Sequence, residues 1–442
     1  MTGIRAVAAW EILDSRGNPT VAVEVELTDG VRATAMVPSG ASTGRHEAVD
    51  LRDGDRPRYR GLGVRKAVAN VNDVLGPAIR GLDATDQAAL DRRMIELDGT
   101  ADKSRLGANA LLGVSCAVAR AAAHSRGLFL WQSLAGGRAP LLPVPMINIL
   151  SGGLHAGQNI EFQDFLAIPH GFDSYTKALE AAVAIHGAAR EILEQRGRIL
   201  TGVADEGGWG PRLSSNEEAL EILTAAIERA GYRPADQVSI AIDVAASHFF
   251  RGGRYELTSE GRTLTAAEMV DQLESWRGRF PVISVEDGLD QDDWPGWQLL
   301  TRRLGGHLQL IGDDLFATNP ARLARGITEA AATSVLVKMN QIGTLTETFL
   351  VIDQARAAGF SAVVSARSGE TEDSFLADLA VASGSGQIKI GSITRSERLA
   401  KYNRLLEMER AGTLSWPGRR FREIVRPQSH RQRNTRGDQE EL

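Results

Sequence analysis

The sequence predicts an α/β protein in which a small α+β domain precedes a barrel of βα units. Three observations lead there. The first 30 residues alternate apolar and polar side chains with a period of two, and residues 62–135 switch to helical periodicity. Beyond residue 145, short apolar runs ending in a charged residue alternate with helix-like stretches. With 442 residues, 43% of them hydrophobic, the chain can bury one large core and a smaller satellite.

Residues 20–27 (TVAVEVEL) lie between Gly17-Asn18-Pro19 and Asp29-Gly30, the punctuation of an antiparallel strand with tight turns. The Ala-rich helical block that follows holds the one cysteine, Cys116, which reads as a small buried hydrophobe. Residues 136–145 (GGRAPLLPVP) are rich in Gly and Pro and mark a boundary between domains. Six runs then follow: residues 239–243 (SIAID), 282–286 (VISVE), 310–313 (LIGD), 335–338 (VLVK), 362–367 (AVVSAR) and 387–389 (QIK). Helix-like stretches at 266–276, 320–332 and 344–358 separate them. Eight such units close a barrel whose functional groups gather at the C-terminal strand ends. An open doubly wound sheet fits the spacing too, but six successive polar strand ends favour the barrel. The expected division is a domain over residues 1–138, a barrel over 139–427 and a polar, disordered tail over 428–442.

Charge narrows the function. Fifty Lys and Arg against 56 Asp and Glu leave a net charge of −6, which argues against nucleic acid or an anionic membrane as a partner. The C-terminal segment 418–442 is locally basic, with seven arginines between Arg419 and Arg436, yet a solvated tail is the plainer reading. No leader-like or membrane-spanning stretch occurs, and a lone thiol suits a reducing compartment, so a cytoplasmic protein is expected.

Asp243, Glu286 and Asp313 end successive runs, and three anions at one barrel mouth require a cation. Oxygen donors without nearby Cys or His indicate Mg²⁺ rather than zinc. The plainer alternative is that each acid caps a helix. Lys338 ends the next run; desolvated beside a metal, its pKa falls and it becomes a base, whereas alone it would be a surface ion pair. Glu206, in residues 204–208 (ADEGG), is placed to act as a general acid if its loop faces the same site, or else is a solvated turn acid. Residues 39–44 (SGASTG) form a loop able to fold over a ligand.

Several longer motifs resemble enolase. They are residues 11–19 (EILDSRGNP), 37–47 (VPSGASTGRHE), 205–208 (DEGG), 335–344 (VLVKMNQIGT), 368–373 (SGETED) and 386–403 (GQIKIGSITRSERLAKYN). The resemblance runs from residue 4 to about 415 and implies an N-terminal α+β lid domain, a variant eight-stranded barrel and a homodimer or larger homo-oligomer. It implies two Mg²⁺ ions, the first held by Asp243, Glu286 and Asp313 and the second helped by Ser42. It implies Lys338 as the base at C2 and Glu206 as the acid assisting loss of the C3 hydroxyl, the general Lys-plus-Mg²⁺ arrangement of enolase-superfamily sites. His155 and Gln163 would line the substrate, Arg367 and Ser368 would bind phosphate, and Lys389 would hold the substrate carboxylate.

Two positions depart from the family pattern: Asp164 stands where enolases have Glu, and Ala366 where they have His. Both shorten a side chain at the expected site. Three readings follow. One is dehydration of 2-phospho-D-glycerate to phosphoenolpyruvate. Another is the same elimination on a bulkier acid, carboxyphosphono-glycerate to carboxyphosphonoenolpyruvate, as in phosphonate antibiotic biosynthesis. The last is a non-catalytic binding protein on the same fold. Racemisation or cycloisomerisation is disfavoured, because the Lys-x-Lys triplet usual for such enzymes is absent.

Overall fold

The computed structural model describes residues 2–40 and 44–425, so Ser42 and the expected tail at 428–442 lie outside the described residues. Strands β1 (Ile4–Leu13), β2 (Pro19–Leu27) and β3 (Arg32–Met36) form an antiparallel sheet in sequence order. Asp14 shapes the first turn: its Oδ1 accepts from the backbone N–H of Arg16 and Asn18, and Gly17 supplies a φ of 73° there. The helix Ala108–Ser125 lies across β2 and β3. Its small side chains allow a close approach, since a Cβ at Gly113 would stand 2.5 Å from Val23 Cγ2. Cys116 is buried on this helix, and burial pushes its thiol pKa up.

The second unit contains β4 (Val144–Ser151), β5 (Asp164–Ile168), β6 (Ser239–Asp243), β7 (Phe250–Arg251), β8 (Arg254–Leu257), β9 (Arg262–Leu264), β10 (Val282–Glu286), β11 (Gln309–Gly312), β12 (Ser334–Val337), β13 (Ser361–Ser365) and β14 (Gln387–Gly391). Eight of these close a barrel in the order β4-β5-β6-β10-β11-β12-β13-β14, while β7, β8 and β9 form a separate small antiparallel sheet. The barrel is not a uniform succession of βα units. Strand β5 runs antiparallel to both neighbours, and the other pairs are parallel. Only residues 152–163 join β4 to β5, with one short 3₁₀ turn at Gly153–Ala156, and no crossover helix fits there. The helices Tyr175–Gln195 and Asn216–Arg229 then both fall between β5 and β6.

This reversal matters for function. It brings the first residue of β5, Asp164, level with the last residue of β6, Asp243. Inside the barrel, Met146, Leu166, Ala241, Ile311, Leu336 and Val363 form one apolar cluster, which Phe421 and Val425 of the C-terminal helix Phe421–Val425 join from beneath. The two units meet along the sequence motifs themselves. Ser39 and Gly369 exchange backbone hydrogen bonds of 2.7 and 2.9 Å, and Ser39 Oγ donates to Asp14 Oδ2 at 2.6 Å. A side chain at Gly369 would collide with Asp14 and Ser39, so glycine is needed at this seam.

Candidate active site

The C-terminal strand ends place their ionisable groups at one mouth. Asp243 and Glu286 are the last residues of β6 and β10, and Asp313 and Lys338 directly follow β11 and β12. Arg367 lies two residues beyond β13. Lys389 does not end its strand, because β14 continues to Gly391, yet its register opposite Ser365 and Met146 lets it reach the same acids. The helix-cap alternative fails for the three carboxylates. Asp293, Asn319 and Thr344 cap the helices after β10, β11 and β12, and Thr265 caps the helix Ala266–Arg279 after β6. The strand-end acids instead pair with the two lysines and accept from Gln163 and Gln341.

Lys389 Nζ bridges two of these acids, at 2.7 Å from Asp243 Oδ2 and 2.8 Å from both oxygens of Glu286. Lys338 Nζ pairs closely with Asp313 Oδ2, whose other oxygen accepts from Gln341 Nε2 at 3.0 Å. Burial, reinforced by the charge of Asp243, pushes the Glu286 carboxyl well above its usual range. Ammonium groups thus stand where cationic charge is required. Buried carboxylates without sulfur make a hard donor set that suits Mg²⁺.

The lowered pKa expected of Lys338 is for a lysine beside a bound metal; the protein's own side chains act the other way. Burial favours its neutral form, but the Asp313 charge beside it wins, and its pKa lies above the ordinary lysine value. A base here therefore depends on Asp313 being engaged by another cation. Among the described residues, acid and histidine atoms converge within 4.8 Å in two triplets, His155–Asp164–Glu206 and Asp287–Asp313–Asp314. Asp243 and Glu286 meet at Lys389 instead.

The opposite wall is built around His155. Its Nδ1 lies 3.1 Å from Asp164 Oδ2, and its Nε2 lies 3.7 Å from Glu206 Oε1. Burial opposes charge on this imidazole, yet Asp164 and Glu206 outweigh burial and lift its pKa to about 9. Asp164 also accepts from Asn148 and, at 3.0 Å, from Ser151 Oγ. Burial likewise opposes ionisation of Glu206, but the charges of His155, Arg398 and Lys389 prevail and hold its carboxyl below the usual range. The loop after Glu206 needs glycine: Gly207 has a φ of 91°, and a Cβ there would meet Thr394 Oγ1 at 2.5 Å. Gln163 Nε2 donates to Asp243 Oδ2 at 3.2 Å.

Ala366, Arg367 and Ser368 complete the lining, beside Lys338 and Lys389, around a free space of about 30 Å³. Buried Arg398 donates to the carbonyls of Arg367 and Ser368 at 2.6 Å each, fixing that backbone.

Sequence reasoning did not single out Glu47, Gln341, Asn148, Asp287 or Arg398. Glu47, Gln341 and Arg398 lie inside recognised motifs, so motif membership was an available signal. Asp287 had none: its carboxylate accepts from the backbone N–H of Asp313 and Asp314 at 2.9 and 2.8 Å, a purely tertiary contact.

Comparison with known proteins agrees with this architecture. Residues 4–134 match the family model described as the enolase N-terminal domain, and residues 139–423 match that of the enolase C-terminal TIM barrel domain. A curated relative named "Enolase", from Rubrobacter xylanophilus, is 56% identical over 409 residues, covering 92% of this chain and 95% of the relative.

Proposed function

The chain belongs to the enolase family, and on that premise we propose that it is a Mg²⁺-dependent hydro-lyase converting 2-phospho-D-glycerate to phosphoenolpyruvate. The observation that carries this reading is a single cavity lined at once by Lys338, Glu206, Asp243, Asp313, Arg367 and Lys389. Proton removal beside a carboxylate needs a base, a proton donor for the departing hydroxyl and concentrated positive charge, and these side chains supply all three.

In this mechanism Asp243, Glu286 and Asp313 would hold one Mg²⁺, and Ser42 would contribute to a second. Mg²⁺ held there would supply Lewis-acid charge to offset the negative charge that develops as the C2 proton leaves. Arg367 and Ser368 bind the phosphoryl group, Lys389 and Gln163 orient the carboxylate end, and the Lys338 amine takes the C2 proton. Glu206 then assists departure of the C3 hydroxyl. His155 helps hold Glu206 ionised, and Glu206 and Asp164 hold the imidazole protonated, so a proton must reach the Glu206 carboxylate before it can assist the departing hydroxyl.

Purified protein given 2-phosphoglycerate and Mg²⁺ should generate enol absorbance in the ultraviolet. Normal Mg²⁺ binding with no turnover of any tested acid would instead favour a non-catalytic binding protein.

A second reading is the same elimination on carboxyphosphono-glycerate. Ala366 supports it by lining the cavity beside Arg367 and Ser368, where a longer side chain would occupy room. Weak turnover of 2-phosphoglycerate that Ala366→His restores would select this second substrate. Efficient turnover unimproved by Ala366→His would exclude it. The reading also includes a cytoplasmic homodimer or larger homo-oligomer. The family resemblance supports the assembly, and the lone, buried Cys116 supports the reducing compartment. Among the described residues no helix is long and apolar enough to cross a membrane.

A further inference from the structure

We propose that Glu47, contributed by the small domain, is a positioning residue that sets Arg367 for the substrate's phosphoryl group, so that the anion site is complete only when the two domains are docked. This rests on the reading of Arg367 as a phosphate ligand. The Glu47 carboxylate takes the guanidinium in a two-point grip, with Nη1 at 2.8 Å from Oε2 and Nη2 at 3.3 Å from Oε1. Both side chains are buried, at 4% and 6% exposure. A fork of this kind fixes the plane of the guanidinium as well as its location.

Arg367 Nη1 also donates to Asn340 Oδ1 at 3.0 Å, which locks the same edge from the barrel side. Glu47 is itself fully engaged. Its Oε1 accepts from Gly44 N at 2.8 Å and from Gln341 Nε2 at 3.4 Å, so it is a fixed anchor. Its neighbour Ala48 donates backbone N–H to the Gln341 carbonyl at 2.8 Å, tying this stretch of the small domain to the loop after β12. Gln341 continues to Asp313, so one short chain of contacts joins residues 44–48 to the anion site and to an acid of the proposed metal set.

The test uses full-length Glu47→Gln and Glu47→Ala, assayed with Mg²⁺ and 2-phosphoglycerate and with inorganic phosphate as a competing anion. Loss of a charge-assisted pair should raise KM about tenfold in the Ala variant and less in the Gln variant. The inhibition constant for inorganic phosphate should rise by the same factor as KM, with a smaller fall in kcat. Circular dichroism verifies folding, and if the Ala variant does not fold the Gln variant carries the test. A folded variant with KM and phosphate inhibition within about twofold of wild type, or with a loss confined to kcat, overturns the proposal. Wild-type protein inert to 2-phosphoglycerate would overturn the proposed reaction instead. Calorimetric binding of inorganic phosphate to wild type and variants would then still decide the role of Glu47.

Discussion

Lys338 and Glu206 stand in different electrostatic settings, and the contrast gives a test for each. The lysine is held charged by Asp313, and the glutamate is held ionised by His155, Arg398 and Lys389 against the effect of burial. Lys338→Ala should abolish solvent exchange of the C2 proton, whereas Glu206→Gln should spare exchange and slow dehydration about 10²–10⁴-fold. Proton NMR of 2-phosphoglycerate in deuterated buffer reads both, and exchange surviving in Lys338→Ala would remove that residue as the base. A different histidine contributes to acid stability. His170 is buried against Phe421, and burial, assisted by Arg422, lowers its pKa from 6.5 to about 4. The unfolded chain therefore binds the extra proton first. The contribution of His170 should be full above pH 6.5 and be lost as pH drops toward 4, by about 3 kcal/mol in total. His170→Gln should flatten that slope in urea titrations; an unchanged slope would mean that another group sets it.

Among the elements, β5 and the helix Ala108–Ser125 show how local rules and packing divide the work. The short link before β5 forbids a parallel crossover, and the resulting reversal is what delivers Asp164 to the catalytic wall beside His155. Asp164→Asn should therefore lower the His155 pKa from about 9, visible as a shift in its imidazole NMR titration. The helix presents Gly113 to β2 with no room for a methyl group. Gly113→Ala gains about 1 kcal/mol of helix propensity but pushes on stiff, β-branched Val23, at a cost of about 1–3 kcal/mol. Net destabilisation of about 1 kcal/mol is expected from the urea midpoint, and a stabilised variant would show that the sheet yields.

At the scale of the molecule, the seam between domains and the barrel mouth depend on each other. Residues 11–19, 37–47 and 368–373 are far apart in the chain, yet Asp14, Ser39 and Gly369 meet in one contact set. The mouth gathers Asp243, Glu286 and Asp313, whose ion pairs among the described residues are with Lys389 and Lys338. A divalent cation that binds the folded state alone must stabilise it, by about 2.7 kcal/mol at a hundred times its Kd. Calorimetry with rising Mg²⁺ should raise Tm in wild type and much less in Asp243→Asn. Equal shifts in both proteins would place the stabilising ion elsewhere.

The sequence by itself determined the order of the units, the six barrel strands from β6 to β14 and most of the residues gathered at the mouth. Strand periodicity, turn residues and charged strand ends are written in neighbouring positions, and long motifs carry the family. Only the tertiary structure decided that β5 runs backward, that Lys389 reaches the acids from mid-strand, and that Lys338 is tied to Asp313. The contacts of Glu47 with Arg367 and of Asp287 with the backbone of Asp313 and Asp314 likewise arise only there. Register, pairing and pKa depend on which groups meet across hundreds of residues, and such distances are set by the closing of the barrel and the docking of the domains, not by any local pattern.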